Sequence, residues 1–317
     1  MQPIAWRISV ENNPGHIQVQ VIERFARRFE DLSGGRVSVR LFDSARLYRD
    51  VDLPRVLSND RIEMGVPGVW QLDRYVPDFG LFLLPLFYGR TPDRNHAVVD
   101  GPVGQALGNA LASRLNVVVP GRWIDLGPAH IFTFDHPIRN SGDFAGLRLR
   151  VAGGFANEMR LQRLGATAVR VAWPDLSEAV DRGNLDGLLT SYVTVESAPF
   201  ASRLRYVYED SAYFPQYVPL VSRAAWRRLG PELRDLFLRA WEGGVDDARA
   251  AAAAAQAEAR RRLVARGLTV VHPTPAEIDA NRAMLDSVQD DIIAATRITP
   301  SMVGGLQYLF EDGEVDP

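Results

Sequence analysis

Cysteine and lysine are both absent from the 317-residue chain, so all 36 basic residues are arginine. Without lysine there is no Schiff-base nucleophile, no anchor for pyridoxal phosphate and no lysine for a Walker-type phosphate loop. Without cysteine there is no thiolate nucleophile, no iron–sulfur cluster, no cysteine-ligated zinc and no disulfide. A core of this size is stable without disulfide staples, so the missing thiols do not choose between an oxidising and a reducing compartment. The missing lysine reads as a codon bias toward arginine and alanine. Long apolar runs are lacking too. The most hydrophobic stretch, Phe79 to Tyr88, is interrupted by Pro85 and falls well short of the roughly 20 residues that cross a bilayer. The opening Met1-Gln2-Pro3 runs straight into an alternating pattern, without the basic and apolar regions of a signal peptide. The sequence therefore reads either as cytoplasmic or as a mature region from which an export signal has been removed.

What is present describes a globular chain. Hydrophobic residues make up 46% and charged residues 24%, at a length where one core usually divides into two, so two lobes are expected. The net charge of −3 arises from mixed signs along the chain, without the basic stripe that a nucleic-acid partner would require.

Ile4, Trp6, Ile8 and Val10 alternate as a first strand, broken by Asn12-Asn13-Pro14-Gly15. Ile22, Phe25, Phe29 and Leu32 then share one helical face, Gly34-Gly35 ends it, and Val37, Val39 and Leu41 alternate as a second strand. This is a β-α-β opening of a length suited to a parallel crossover. Further α/β units follow: a strand at Ile62 to Val66, a helix around Leu107, Leu111 and Leu115, and a strand at Val117 to Val119. After His130 come a strand at Leu147 to Val151, a helix at Asn157 to Leu164, a strand at Ala168 to Val171, a helix at Leu176 to Arg182 and a strand at Leu185 to Leu189. Residues 231–267, with the alanine run Ala250 to Ala255, predict one long helix on propensity alone. Alternation of this kind places ligand sites at the carboxyl ends of strands.

Catalytic motifs are missing. The five histidines, at 16, 96, 130, 136 and 272, lack the spacing of helical metal ligands, there is no G-x-S-x-G elbow, and Gly101, Gly104 and Gly108 do not form a dinucleotide fingerprint. No metal, no cofactor and no catalytic residue is expected.

The segment Asp143-Phe144-Ala145-Gly146-Leu147-Arg148-Leu149-Arg150-Val151 is more specific. So are Leu164-Gly165-Ala166, Trp173-Pro174-Asp175-Leu176-Ser177-Glu178 and Arg182-Gly183-Asn184-Leu185-Asp186-Gly187 that follow it. Upstream lie Asn13-Pro14-Gly15-His16, Phe25-Ala26, Ser33-Gly34-Gly35-Arg36-Val37 and Leu84-Pro85-Leu86-Phe87; downstream, Val221-Ser222 to Trp226 and then Leu229. Together these resemble the DctP-type solute-binding proteins of tripartite ATP-independent periplasmic (TRAP) transporters, from about Ile4 to about Pro300. The resemblance implies a two-lobe periplasmic binding protein fold of α/β class, type II-like, with a hinge cleft and a long helix spanning both lobes. Lobe 1 is expected at 1–126 plus 217–250, lobe 2 at 127–216 plus 251–300, and a C-terminal segment at 301–317. It implies a periplasmic monomer without enzymatic activity that closes on one small organic acid anion and delivers it to the small and large TRAP membrane subunits.

In that family the second arginine of the "G-L-x-x-R-V" strand forms a bidentate pair with the ligand carboxylate, and here it is Arg150. A planar guanidinium suits that role, since it offers two parallel donors. Arg148 lies on the same strand face and is expected to remain at the surface. The resemblance suggests further pocket positions. Trp173 falls where the family has a lining aromatic. Thr190 and Ser191 fall where many relatives carry Gln-Glu-Asn-Pro, a departure that exchanges an amide for hydroxyls. Trp70 lies in a loop that is polar in sugar-acid-binding relatives, and His130 stands where some of those place a second arginine, though a buried structural histidine is an equal alternative. Tyr213, Phe214 and Tyr217 are hinge-side aromatics for which packing between lobes is the better reading; Tyr213 is retained as a candidate. Gly68, Val69, Trp70, Trp173 and Leu189 suggest a pocket short of hydrogen-bond partners, favouring a 2-oxo acid or an aromatic acid over a uronic or sialic acid.

Two other readings stay open on the residues alone. One is a cytoplasmic α/β enzyme with Arg150 as substrate clamp and His130 or a carboxylate as base. The other is a ligand-sensing protein that reports occupancy to a receptor.

Overall fold

The alternation at the N-terminus makes the expected first strand, Ile4–Ser9, with Trp6 and Ile8 wholly buried. The computed structural model describes residues 2–311. His16 caps the helix Ile17–Ser33, its Nδ1 accepting the Gln18 N–H at 3.1 Å, and Gly34 closes the helix in the left-handed conformation at φ 61°. Phe25 and Phe29 pack edge-on against Phe237, and Phe25 also meets Trp241. Leu32, expected on the same apolar face, is 42% exposed, because the last turn runs past the edge of the core.

Two sheets carry the molecule. The first has five strands in the order Val37–Phe42, Ile4–Ser9, Met64–Gly65, Leu220–Ser222, Val117–Val118. Its first three strands are parallel, and Leu220–Ser222 runs antiparallel to both its neighbours. The second has six strands in the order Thr269–Val271, Tyr206–Tyr213, Ala129–Thr133, Gly187–Thr190, Arg148–Val151, Thr167–Arg170. Here Arg148–Val151 is parallel to the strands on either side of it. Where the chain passes between the sheets, Ile124–Asp125 pairs antiparallel with Gln216–Tyr217. The strands at 129–133, 206–213 and 220–222 escape an alternation search because they are buried on both faces or interrupted by polar residues such as Glu209, Asp210 and Ser211.

The expected long helix begins earlier than Pro231, as Arg223–Ala265, and breaks at Gly230 (φ 68°, ψ 171°) immediately before that proline. It packs on Ile17–Ser33 beside the first sheet and on Tyr192–Glu196 beside the second, so it spans both. Three further helices, Pro275–Asp286, Gln289–Thr296 and Pro300–Glu311, follow. Asn281 donates toward the hydroxyls of Tyr88 and Tyr208, and Gln289 accepts the Leu86 N–H at 3.0 Å, so this strap ties the two sheets' layers together. Of the expected C-terminal segment 301–317, residues 312–317 lie outside the described residues. Among the described residues no helix is long and apolar enough to cross a membrane.

Candidate functional site

The parallel strands of both sheets point their carboxyl ends at one cleft. On the first side, Ile4–Ser9 leads to Glu11 and Asn12, Val37–Phe42 to Asp50, and Met64–Gly65 to Trp70 and Gln71. On the second, Arg148–Val151 supplies Arg150 and Ala152, Thr167–Arg170 leads to Trp173, and Gly187–Thr190 supplies Leu189 and Thr190. With Tyr213 and Tyr217 these residues line a cavity of about 40 Å³. A parallel strand leaves its last carbonyls and the following loop free at that end, which is why both sheets place their loops here.

Several polar contacts hold the cleft shut, among them His16 Nε2 with Thr194 Oγ1 at 3.3 Å. Glu11 Oε1 accepts the Trp173 N–H at 3.0 Å, and Arg49 makes a two-pronged pair with Asp175 at 2.7 and 2.9 Å. Gln71 Nε2 donates to the Ala152 carbonyl at 3.2 Å, and Asp73 Oδ2 accepts the Phe155 N–H at 2.9 Å. Gly154 permits this last approach: its φ of +86° suits glycine, and a Cβ there would lie 2.3 Å from the Leu83 side chain.

Arg150 is 3% exposed and lines the cavity. Its Nε donates to the Val171 carbonyl at 2.9 Å, which fixes the plane of the guanidinium, while the two terminal nitrogens have no hydrogen-bond partner among the described residues. Burial pulls its pKa down to about 10, partly opposed by the Glu11 carboxylate, so it stays a cation at neutral pH. Arg148, on the same strand face but at its other end, is half-exposed and paired with Asp186 at 2.8 Å, as the surface expectation required.

Two buried carboxyls also line the cavity. Glu11 Oε2 accepts the Asp50 N–H at 2.6 Å, and Asp50 Oδ2 accepts the Gly68 N–H at 3.3 Å. Burial raises the Glu11 pKa, against the two backbone donors it has. Burial together with the nearby Glu11 charge pushes Asp50 well above the usual carboxylate range. Asp50 Oδ1 has no hydrogen-bond partner among the described residues.

Of the positions singled out in the sequence, Arg150, Trp173, Thr190, Trp70 and Tyr213 are brought together at the cavity. Ser191 and His130 are not among its lining residues. Ser191 is fully buried as the cap of the helix Tyr192–Glu196, with its hydroxyl against Thr194 Oγ1 at 3.0 Å. His130 Nδ1 accepts the Ser211 N–H at 3.1 Å and its ring packs on Tyr192; burial lowers its pKa to about 4, so it is a neutral bridge between strands. The expectation of a pocket short of hydrogen-bond partners does not hold, because Glu11, Asn12, Asp50, Gln71 and Thr194 also line it. Glu11 and Asn12 carried a usable signal, directly after the first strand; Asp50, in the charged loop Arg49-Asp50-Val51-Asp52, carried none. Among the described residues no group of three or more histidine, aspartate or glutamate side chains could hold a metal ion.

The sequence matches the DctP family, described as bacterial extracellular solute-binding protein, family 7, over residues 8–296. A solute-binding protein of Chromohalobacter salexigens is 22% identical over 250 residues, covering 78% of this chain and 73% of that protein. The C4-dicarboxylate-binding periplasmic protein DctP of Rhodobacter capsulatus is 24% identical over 264 residues, covering 80% of this chain and 76% of that one. Among solved structures, the sugar acid binding protein DctPAm of Advenella mimigardefordensis, in complex with galactonate, superposes with a TM-score of 0.90 at 21% identity, over 96% of this chain and 97% of that one. The chain, with a buried arginine at the cleft between its two sheets, belongs to the DctP family of bacterial extracellular solute-binding proteins, and is a periplasmic binding protein, not an enzyme.

Proposed function

We propose that the cleft captures one small organic acid anion and that Arg150 anchors its carboxylate through the two terminal guanidinium nitrogens. The observation that carries this reading is a buried cation with only Nε satisfied, its remaining donors at the cleft cavity. A buried arginine without partners for its fork is costly unless a ligand completes it, and a carboxylate matches the fork in geometry and charge. Trp173, Trp70 and Tyr213 would pack on the solute and the Thr190 hydroxyl would bond it. His130 and Ser191 are assigned to positioning the strand and helix behind that surface.

The two lobes are taken as 1–126 plus 217–250 and 127–216 plus 251–300, with the paired strands Ile124–Asp125 and Gln216–Tyr217 as the hinge where the chain crosses. The cross-cleft bonds of Glu11, Arg49, Gln71 and Asp73 would form on closure and break on release. The closed protein, as a monomer, would hand its solute to the small and large membrane subunits of a TRAP transporter.

Isothermal titration calorimetry of the wild type and of Arg150→Ala, with carboxylates found by a thermal-shift screen, tests the assignment. The alanine variant should lose measurable binding of every carboxylate that stabilises the wild type. Equal affinity in the two proteins would remove Arg150 as the anchor.

A further inference from the structure

Part of the cavity wall is oriented by a chain of amides that starts from a main-chain carbonyl. Val66, just past the strand Met64–Gly65, offers an oxygen that can only accept, and Gln18 Nε2 donates to it at 2.8 Å. That fixes which way the Gln18 amide faces, so its Oε1 accepts from Asn12 Nδ2 at 2.7 Å. The same Nδ2 donates to the Tyr217 hydroxyl at 2.9 Å. Gln18 and Asn12 are 1% and 7% exposed, so turning either amide over would leave buried groups unpaired.

Two consequences meet at the cavity, which both Asn12 and Tyr217 line. Asn12 has committed both amide protons inward, which leaves Oδ1 as an acceptor without a donor among the described residues. It is not one of the enclosed orphan atoms, such as Gln216 Oε1, that have no accessible surface. The Tyr217 oxygen accepts from Asn12, so its own proton is left for another acceptor, and the described residues supply none. Burial holds the Tyr217 pKa well above its ordinary value, so the phenol keeps that proton. Its ring is held edge-on against Trp70, with centroids 5.5 Å apart. The wall therefore presents one acceptor and, bonded to the same amide, one donor.

The chemistry of the pair selects its ligand. An oxo oxygen or a second carboxylate only accepts; it meets the Tyr217 proton but sets lone pairs against Asn12 Oδ1. An ammonium only donates, and leaves the phenol proton facing other protons. A hydroxyl does both through one oxygen. Arg150 and Tyr217 line the same cavity of about 40 Å³, so that hydroxyl belongs close to the carboxylate.

Resting on the carboxylate reading above, we infer that the solute is a short hydroxy acid, with its carboxylate on Arg150 and a 2- or 3-hydroxyl that donates to Asn12 Oδ1 and accepts from Tyr217. Gln18 is the positioning residue that decides which end of the Asn12 amide the solute meets. Selectivity follows because an analogue without the hydroxyl leaves both protein groups unpaired in a buried site.

The test uses probes matched in carbon skeleton: glycolate and acetate; D- and L-lactate, pyruvate, L-alanine and propanoate; D- and L-3-hydroxybutyrate, acetoacetate, succinate and butyrate. Calorimetry and thermal shift on the wild type should show at least one hydroxy acid bound about tenfold or more tighter than each of its counterparts. Tyr217→Phe keeps the ring against Trp70 and removes the donor. In that variant the advantage over the unsubstituted acid should fall about tenfold, while the unsubstituted acid itself changes by less than about twofold. A merely structural role for Tyr217 would weaken both acids alike and leave the advantage unchanged. An oxo, amino, dicarboxylic or unsubstituted acid that binds as tightly as its hydroxy counterpart, no binding of any hydroxy acid, or an unchanged advantage in Tyr217→Phe would each overturn the hydroxy acid. If the acid that binds instead is lost in Arg150→Ala, the carboxylate site stands and only the hydroxyl subsite falls. If Arg150→Ala binds it unchanged, the carboxylate site falls as well.

Discussion

Arg150 and Arg160 lie 10 residues apart on the same side of the cleft, both almost wholly buried, at 3% and 1% exposure. Burial lowers the pKa of each. They are finished differently. Arg160 donates to the Ala212 carbonyl at 2.6 Å and to Asn157 Oδ1 at 2.7 Å, stacks over the Tyr213 ring and has Asp210 as its nearest opposite charge. Arg150 makes one bond and keeps its two terminal nitrogens at a cavity. A fork with both terminal nitrogens bonded holds the fold together; a fork with neither bonded is a standing demand that a solute can meet. The same contrast separates two orphaned carboxylate oxygens. Asp210 Oδ1 is enclosed beside Arg160 and Tyr88, whereas Asp50 Oδ1 belongs to a cavity-lining residue.

The largest effect should come from cutting the unfinished arginine. Arg150→Ala removes a buried charge pair from the complex, which costs about 2–5 kcal/mol or more of binding, while the unfolding free energy measured by urea denaturation should move by less than about 1 kcal/mol, since one hydrogen bond is lost and one desolvation cost relieved. Arg150→Lys should restore little, because an ammonium cannot present the planar fork. Arg160→Met should do the reverse: it leaves Asp210, Asn157 and the Ala212 carbonyl without their partner, at a cost of about 3–5 kcal/mol in the same denaturation experiment, with solute affinity altered far less. A variant of Arg160 that kept its stability but lost binding would erase the distinction.

Acid and base sharpen it further. Burial raises Asp210 from 3.8 to about 7, against the pull of Arg160. The folded protein therefore keeps a proton that the unfolded chain gives up between about pH 4 and pH 7. The stability owed to that proton is fully present below about pH 4 and is lost as the pH rises through 7. Asp210→Asn should abolish this dependence, so the wild type should lose a few kcal/mol, on the order of 4 at most, relative to the variant between pH 4 and pH 8. A constant difference between the two across that range would mean that Asp210 is ionised throughout.

The smallest effect belongs to the rim. The pair between Arg49 and Asp175 crosses the cleft but is close to half-exposed on both sides, so Arg49→Ala should cost the closed state about 0.2–1 kcal/mol. Tryptophan fluorescence in stopped flow should show solute release faster by up to about fivefold, with little change in capture. A loss as large as that of Arg150→Ala would make the rim, and not the buried fork, the source of affinity.

Much of this architecture could be read from local pattern, because strands and helices leave periods of two and three to four residues in the sequence. The β-α-β opening, the strand that carries Arg150 and the alanine-rich helix all follow that rule. The strand Tyr206–Tyr213 did not, because its Glu209 and Asp210 face partners such as Arg260 and Tyr88 that lie far along the chain. The cleft divided in the same way. Arg150 and Trp173 stood in motifs, and Glu11 closed a strand; Asp50 gained its meaning only from Glu11, Gly68 and the cavity wall. His130 had the right chemistry but found a backbone N–H to accept instead of a solute.

By itself the sequence determined two things: two α/β units, through periodic burial, and a reaction inventory without thiols or amines, through the absence of cysteine and lysine. Its motif pointed to Arg150 among the 36 arginines, but composition and periodicity could not decide which of them would be left unfinished. Hydrogen-bond satisfaction is a property of neighbours in space, and the neighbours of Arg150, from Glu11 to Val171 and Tyr213, are set by how the two sheets close on each other.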